Sequence, residues 1–178
     1  MNNPTVTPAE IERAIRNVPD FPKPGIQFKD ITPVLADARL FAGAVDLLCD
    51  GFGPNAVDAI VGIDARGFIF AAAAAKKLNA GFVPVRKKGK LPYQTIEQDY
   101  ALEYGSATVA MHVDALKPGA RVLLIDDLLA TGGTASAAAA LVKKLGAHIL
   151  EISFLIELKF LSGRDKLKDY PIRSIVVY

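Results

Sequence analysis

Residues 121–134 read RVLLIDDLLATGGT. Val122, Leu123, Leu124 and Ile125 make a short apolar run that ends in two carboxylates, Asp126 and Asp127. A turn of small residues follows, Ala130-Thr131-Gly132-Gly133-Thr134, and then an alanine-rich stretch of helical character. The pattern predicts a buried strand that delivers two acids to its carboxyl end, then a loop able to wrap an anion. Gly132 and Gly133 can take positive φ and let a ligand approach the backbone. Free N–H groups at the start of the next helix, its dipole, and the Thr131 and Thr134 hydroxyls suit a phosphate. No Lys follows the glycines, which separates the loop from a Walker A sequence. The acids suit sugar hydroxyls or a hydrated Mg²⁺. A sugar phosphate with adjacent diols would satisfy both ends. An ordinary strand-turn-helix connection is the plainer alternative, but it does not call for paired Asp before TGGT.

The flanking sequence alternates strand and helix signals. Thr7-Pro8-Ala9-Glu10 is a capping box with Pro at the first helical position, opening a helix to about residue 16. The Pro-rich stretch 19–25 reads as irregular. Asp37 can cap a helix to about residue 50. Residues 56–63 read as a buried strand, 68–78 as a helix and 82–85 as a strand. Residues 93–113 read as a hairpin or extended excursion around Gly105-Ser106. Strand 121–125, helix 134–145, strand 148–156, a short helix near 163–168 and strand 173–177 complete the chain. This alternation predicts an α/β fold with a mostly parallel, Rossmann-like sheet flanked by helices. Ligands collect beyond the carboxyl ends of such strands. That rule brings Asp126, Asp127, residues 64–67 and Arg86 to one rim.

Two further groups on that rim carry charge. Ile63-Asp64-Ala65-Arg66-Gly67 again joins a strand end to a helix start. Arg66 there suits bidentate contact with a diphosphate, or pairing with Asp64. Arg86, Lys87, Lys88 and Lys90 are either a solvated basic loop or further diphosphate contacts.

Bulk properties narrow the field. At 178 residues the chain fits a single domain over 1–178, long enough to bury roughly 70% of its unfolded surface. A net charge of +2 gives no reason to expect nucleic acid or membrane partners. The lone cysteine, Cys49, excludes an internal disulfide and reads as core. The polar start MNNPTVTPAE lacks a charged-then-apolar leader, and no apolar run nears the ~20 residues of a membrane span. The expectation is a cytoplasmic protein. His112 and His148 lack metal-ligand spacing and read as structural.

The 121–134 segment resembles the phosphoribosyl-pyrophosphate (PRPP) motif of the type I phosphoribosyltransferases, and DDLLATGGT is most similar to the adenine-specific branch. Collinear matches are FPKPGIQFKDITPVL (21–35), VGIDARGFIF (61–70), FVPVRKKGKLP (82–92) and YALEYGSATVAMHVDAL (100–116). The resemblance implies the type I phosphoribosyltransferase fold with an N-terminal hood (18–35) and a flexible β-hairpin lid (86–113). It implies transfer of the 5-phosphoribosyl group of PRPP to adenine, with Mg²⁺ and a homodimer.

Residue roles follow from the same resemblance. Asp126, Asp127, Ala130, Thr131, Gly132, Gly133 and Thr134 would hold the ribose 5-phosphate. Ala65, Arg66, Arg86, Lys87 and Lys90 would hold the pyrophosphate, with Lys90 reaching across a dimer in some relatives. A cis peptide bond is implied at Asp64–Ala65. Gln27, Phe28 and Lys29 would receive adenine, with the Phe28 ring stacked on the purine. Glu103 would be the catalytic acid or base near the purine imidazole ring, and Tyr104 would belong to the closing lid. Mg²⁺ would arrive on PRPP, with Asp126 and Asp127 as candidate contacts. Gln27 stands where an apolar residue is usual, Lys29 where Arg is common, and Asp64 where many relatives have Glu. A transferase for a 6-oxopurine therefore stays open, as does a PRPP-binding regulator without catalysis.

Overall fold

The computed structural model describes residues 6–101 and 105–178. The chain divides by its internal contacts into two units, Met1–Leu47 and Leu48–Tyr178.

In the first unit the capping box forms as the sequence predicts. The Thr7 hydroxyl accepts from the Glu10 N–H at 3.3 Å, and the Glu10 carboxylate accepts from the Thr7 N–H at 2.9 Å. Helix α1 (Pro8–Ala14) follows. Strands β1 (Arg16–Pro19) and β2 (Gln27–Asp30) then pair antiparallel, with Val18 opposite Phe28. The sequence reading gave no strands here. The tetrapeptides RNVP, mostly exposed, and QFKD, mostly half-buried, lack the two-residue apolar alternation that marks a strand with one face in the core. Helix α2 (Thr32–Ala36) is likewise an addition, whereas α3 (Ala38–Leu48) starts where Asp37 was expected to cap it. The Asp37 carboxylate accepts from the Leu40 N–H at 2.9 Å.

The second unit holds a seven-stranded sheet. Its elements are β3 (Ala59–Ile63), α4 (Gly67–Leu78), β4 (Gly81–Lys87), β5 (Thr95–Ala101), β6 (Ser106–His112), β7 (Arg121–Leu129), α5 (Gly133–Lys144), β8 (His148–Glu157) and β9 (Ile172–Val177). Two 3₁₀ turns, Lys159–Leu161 and Gly163–Lys166, separate β8 from β9. The strand order is β5-β6-β4-β3-β7-β8-β9. Strands β4, β3, β7, β8 and β9 are parallel, and the β5–β6 hairpin adds antiparallel to β4. The fold is the mostly parallel α/β sheet that the alternation predicts.

Apolar runs become the central strands because both sheet faces are covered. Every residue of β3 is buried, and Val122 to Ile125 of β7 have no exposed surface. Small residues let α4 lie close. A Cβ on Gly62 would stand 2.6 Å from the Ala71 methyl. Helix α4 ends at Asn79, whose left-handed backbone (φ 53°) terminates it. Cys49 is buried.

Strand β7 is longer than its apolar run suggests. Pairing with β3 stops at Gly62–Ile125, but pairing with β8 continues through Asp126–Phe154 to Leu129–Glu157. The two acids therefore stand inside β7, on a segment that outruns β3 and is supported only by β8 among these two neighbours. At the other end of β7, Arg121 grips Asp58. The Arg121 N–H and Nη2 both donate to its carboxylate at 2.8 Å. This pair holds Asp58 down at a pKa of about 2.

Candidate active site

Both strand ends at the rim feed directly into helices. After β3, Asp64-Ala65-Arg66 leads into α4; after β7, Ala130-Thr131-Gly132 leads into α5. Neither helix start has a side-chain cap among the described residues, so their first N–H groups face the rim unclaimed by a capping oxygen. The Asp64–Ala65 peptide bond is cis, as the resemblance implies.

Arg66 joins the two loops. Its Nε lies 2.9 Å from Asp127 Oδ2, and the Asp127 side chain is nearly buried. The alternative pairing of Arg66 with Asp64 is not the one observed. Asp64 is taken instead by Arg86, whose Nε donates to Asp64 Oδ2 at 3.0 Å. Arg86 Nη1 also donates to the Lys90 carbonyl at 2.9 Å, which folds the basic loop back onto β4.

Asp126 and Asp127 occupy different electrostatic settings. Asp126 Oδ1 accepts from the Asp127 N–H at 2.9 Å and lies against Gly67 at the start of α4. A Cβ on Gly67 would stand 2.5 Å from Asp126 Oδ1 and 3.1 Å from its Cα. Burial, and then the neighbouring charge of Asp127, hold the Asp126 carboxyl well above its ordinary 3.8. Burial also raises Asp127, against the opposing pull of Arg66.

The loop of residues 130–134 closes round a cavity of about 70 Å³, lined by residues 128–135 together with Asp126. That is room for a few waters or one small anion. Gly132 has φ 75° and caps α5. Its bare Cα is required twice over, because a Cβ there would collide with the Gly163 carbonyl oxygen. Gly133 is buried under the hairpin: a Cβ on it would meet the Tyr100 ring at 3.1 Å. Thr131 is exposed, and Ala130 and Thr134 are half-buried.

The remaining predicted residues fall as follows. Ala65, Lys87 and Lys90 are exposed. Lys88 is drawn to Glu97 on β5 at 2.7 Å, which raises its pKa and ties β4 to the hairpin. Gln27, Phe28 and Lys29 are on β2 of the first unit. There the Phe28 ring meets Phe21 edge-on at 5.1 Å, and Lys29 Nζ donates to Asn17 at 2.6 Å. Glu103 and Tyr104 lie outside the described residues. His112 and His148 sit in β6 and β8.

Sequence reasoning missed three features here: the Arg66–Asp127 pair, the close approach at Gly67, and the packing of Gly163 against the loop, although the short helical turn that carries Gly163 was expected near 163–168. Gly67 had a signal, since it follows Arg66 at a strand-helix junction. The Gly163 contact had none. Larger hollows of about 380 and 500 Å³ line residues 139–149 with 169–170, and residues 58–59 with 115–120. Neither contains the acid pair or a glycine loop. Among the described residues no helix is long and apolar enough to cross a membrane.

Comparison with known proteins agrees with this geometry. Residues 29–176 match the phosphoribosyl transferase domain family. Adenine phosphoribosyltransferase of Acidothermus cellulolyticus is 57% identical over 162 residues, covering 91% of this chain and 92% of that protein. The crystal structure of adenine phosphoribosyltransferase from Rhodothermus marinus superimposes with a TM-score of 0.91 at 50% identity, covering 96% of this chain and 98% of that one. The enzyme from Saccharomyces cerevisiae, solved with adenine and an imino-altritol bisphosphate, gives a TM-score of 0.89 at 40% identity over 94% and 97%. The chain belongs to the type I phosphoribosyltransferases, in the adenine phosphoribosyltransferase family.

Proposed function

We propose that this chain transfers the 5-phosphoribosyl group of PRPP to adenine in purine salvage, giving AMP and pyrophosphate. The observation that carries the reading is the convergence of two uncapped helix starts on Asp126, Asp127 and Arg66. Relatives covering nearly the whole chain support adenine as the acceptor base.

The reaction breaks the bond from ribose C1 to the diphosphate and forms one from C1 to adenine N9 on the opposite face. The ribose 5-phosphate sits at residues 130–134, against the N-terminus of α5. Asp126 and Asp127 accept hydrogen bonds from the ribose diol, and Arg66 orients Asp127 for that task. Ala65, Arg66, Arg86, Lys87 and Lys90 receive the departing diphosphate, whose charge grows as the bond breaks. Phe28 stacks on the purine while Gln27 and Lys29 flank it. Glu103 exchanges a proton with the purine imidazole ring, and Tyr104 belongs to the lid. Fixing both reactants in line supplies much of the acceleration.

The residues present fit a metal shared with the substrate. They offer two carboxylates, one of them held by Arg66, and no cluster of three metal-ligating side chains among the described residues. Mg²⁺ bound to the diphosphate would neutralise leaving-group charge, with Asp126 and Asp127 as its protein-side contacts. The working form is a cytoplasmic homodimer, with Lys90 exposed for reach to a partner.

The test is pyrophosphate release with Mg²⁺ and PRPP, comparing adenine, hypoxanthine, guanine and xanthine. Turnover confined to adenine upholds the reading. Turnover with a 6-oxopurine retains the PRPP site and overturns the assignment of residues 27–29. PRPP binding without turnover on any base makes the protein a sensor.

A further inference from the structure

Behind the loop of residues 130–134, the 3₁₀ turn Gly163–Lys166 packs backbone against backbone. A Cβ on Gly163 would collide with the Ala130 carbonyl oxygen and stand 2.9 Å from Leu129 Cδ1 and 3.1 Å from the Gly132 nitrogen. The reciprocal collision, of Gly132 with the Gly163 carbonyl, was described above. The two segments fit because both residues lack a side chain.

The turn is held there by charge. Arg164 Nε donates to Glu157 Oε1 and Oε2 at 2.8 and 2.9 Å, and Nη2 donates to Oε2 at 2.7 Å. Nη2 also reaches Ser174 Oγ on β9 at 3.2 Å. Glu157 is the last residue of β8, only 4% exposed, and is in register with Leu129, the last residue of β7. Arg164 holds its carboxyl below the ordinary range, so the pair is ionised. A planar fork on a buried carboxylate fixes direction as well as distance.

We propose that the Glu157–Arg164 ion pair is a positioning device for ribose-phosphate binding. It seats Gly163 against Ala130 and Gly132 and so aims the N–H groups at the start of α5. The pair acts through the backbone of Gly163. The inference rests on the assignment of residues 130–134 to the ribose 5-phosphate.

The experiment measures ribose 5-phosphate binding by calorimetry, together with kcat and the KM values for PRPP and adenine. The native protein is measured first; failure to bind ribose 5-phosphate overturns the loop assignment itself. Arg164→Ala is expected to weaken ribose 5-phosphate and raise the PRPP KM by roughly 10-fold or more, the scale of a small misplacement, with the adenine KM within about twofold. Arg164→Lys restores part of the loss. Arg121→Ala breaks a comparable pair at the far end of β7 and leaves ribose 5-phosphate affinity unchanged. Equal affinity in folded Arg164→Ala and native protein overturns the proposal, as does an equal loss in Arg121→Ala. Should Arg164→Ala not fold, Arg164→Lys and Ser174→Ala carry the test: weakened binding in both supports it, and native affinity in both overturns it.

Discussion

Arg66 Nε at the start of α4 lies 2.9 Å from Oδ2 of Asp127 in β7. One ion pair thus ties the loop after β3 to the acids of the neighbouring strand. It leaves Arg86 to Asp64, so each rim guanidinium has its own carboxylate. Two of the rim's acids and both of its guanidiniums are thus ordered against one another by the protein itself.

Arg66→Ala removes both the proposed diphosphate contact and the charge that opposes the raised pKa of Asp127. Steady-state kinetics should show kcat/KM for PRPP lower by about 100-fold, the cost of losing one preorganised donor. Arg66→Lys should recover only part, because an ammonium cannot reproduce the fork. Native kinetics in Arg66→Ala would exclude Arg66 from the site.

Asp126→Asn separates stability from function. The native Asp126 carboxyl has its pKa raised above 3.8, so its contribution to stability is fully present below that value and is lost as pH rises through the folded value. Asn keeps an acceptor for the Asp127 N–H and carries no buried charge. Its melting midpoint at pH 7 should exceed the native one by about 2–4 °C, with the gain disappearing below about pH 4 while activity is lost. A midpoint lower than native at pH 7 would count against this account.

Gly67→Ala should be damaging where Gly53→Ala is not. The first places a methyl 2.5 Å from Asp126 Oδ1; the second meets nothing within 4 Å. Urea denaturation should show a loss of about 1–3 kcal/mol for Gly67→Ala, from overpacking, and under ~0.5 kcal/mol for Gly53→Ala.

Asp58 should account for part of the acid lability, beside Glu10 and Glu157, whose carboxyls are also held low. The Asp58 pKa falls from 3.8 to about 2 through its bonds with Arg121. A depressed carboxylate stabilises the fold above its unfolded value and loses that contribution as pH falls through the folded one, here between about 4 and 2. Asp58→Asn should flatten that part of the melting profile. An unchanged profile would remove Asp58 from the groups responsible.

The proposed adenine contacts are residues 27–29. Phe28→Ala should raise the adenine KM about 10-fold, the effect of losing one base-stacking ring, and leave the PRPP KM unaltered. Glu103→Gln should lower kcat by about 100-fold or more without a comparable change in either KM.

Legibility differed by how local each feature is. DDLLATGGT carries its chemistry in consecutive residues, so the acids and the anion loop could be read directly. The central strands were equally plain, because burial on both faces makes β3 and β7 continuous apolar runs. Strands β1 and β2 carried no such mark, being four residues each with none fully buried. Arg66 was the instructive case. The chain offers Asp64 two residues away, yet sheet order makes Asp127 its partner, and that order is invisible in spacing. The last four residues of β7 escaped notice because carboxylates look like a strand end unless a neighbour such as β8 continues the ladder.

The overhang of β7 beyond β3 makes ligand affinity a gauge of strand alignment. Sliding β7 by two residues against β3 would keep each side chain on its own face of the sheet. In one direction, however, it would draw Asp126 and Asp127 into the buried segment now filled by Val122–Ile125, so the core opposes it as well. The same slide would carry Asp127 about 6–7 Å from Arg66 and take Asp126 away from Gly67. On the proposed reading, a bound sugar phosphate stabilises the correctly paired chain preferentially, by an amount that grows with its concentration.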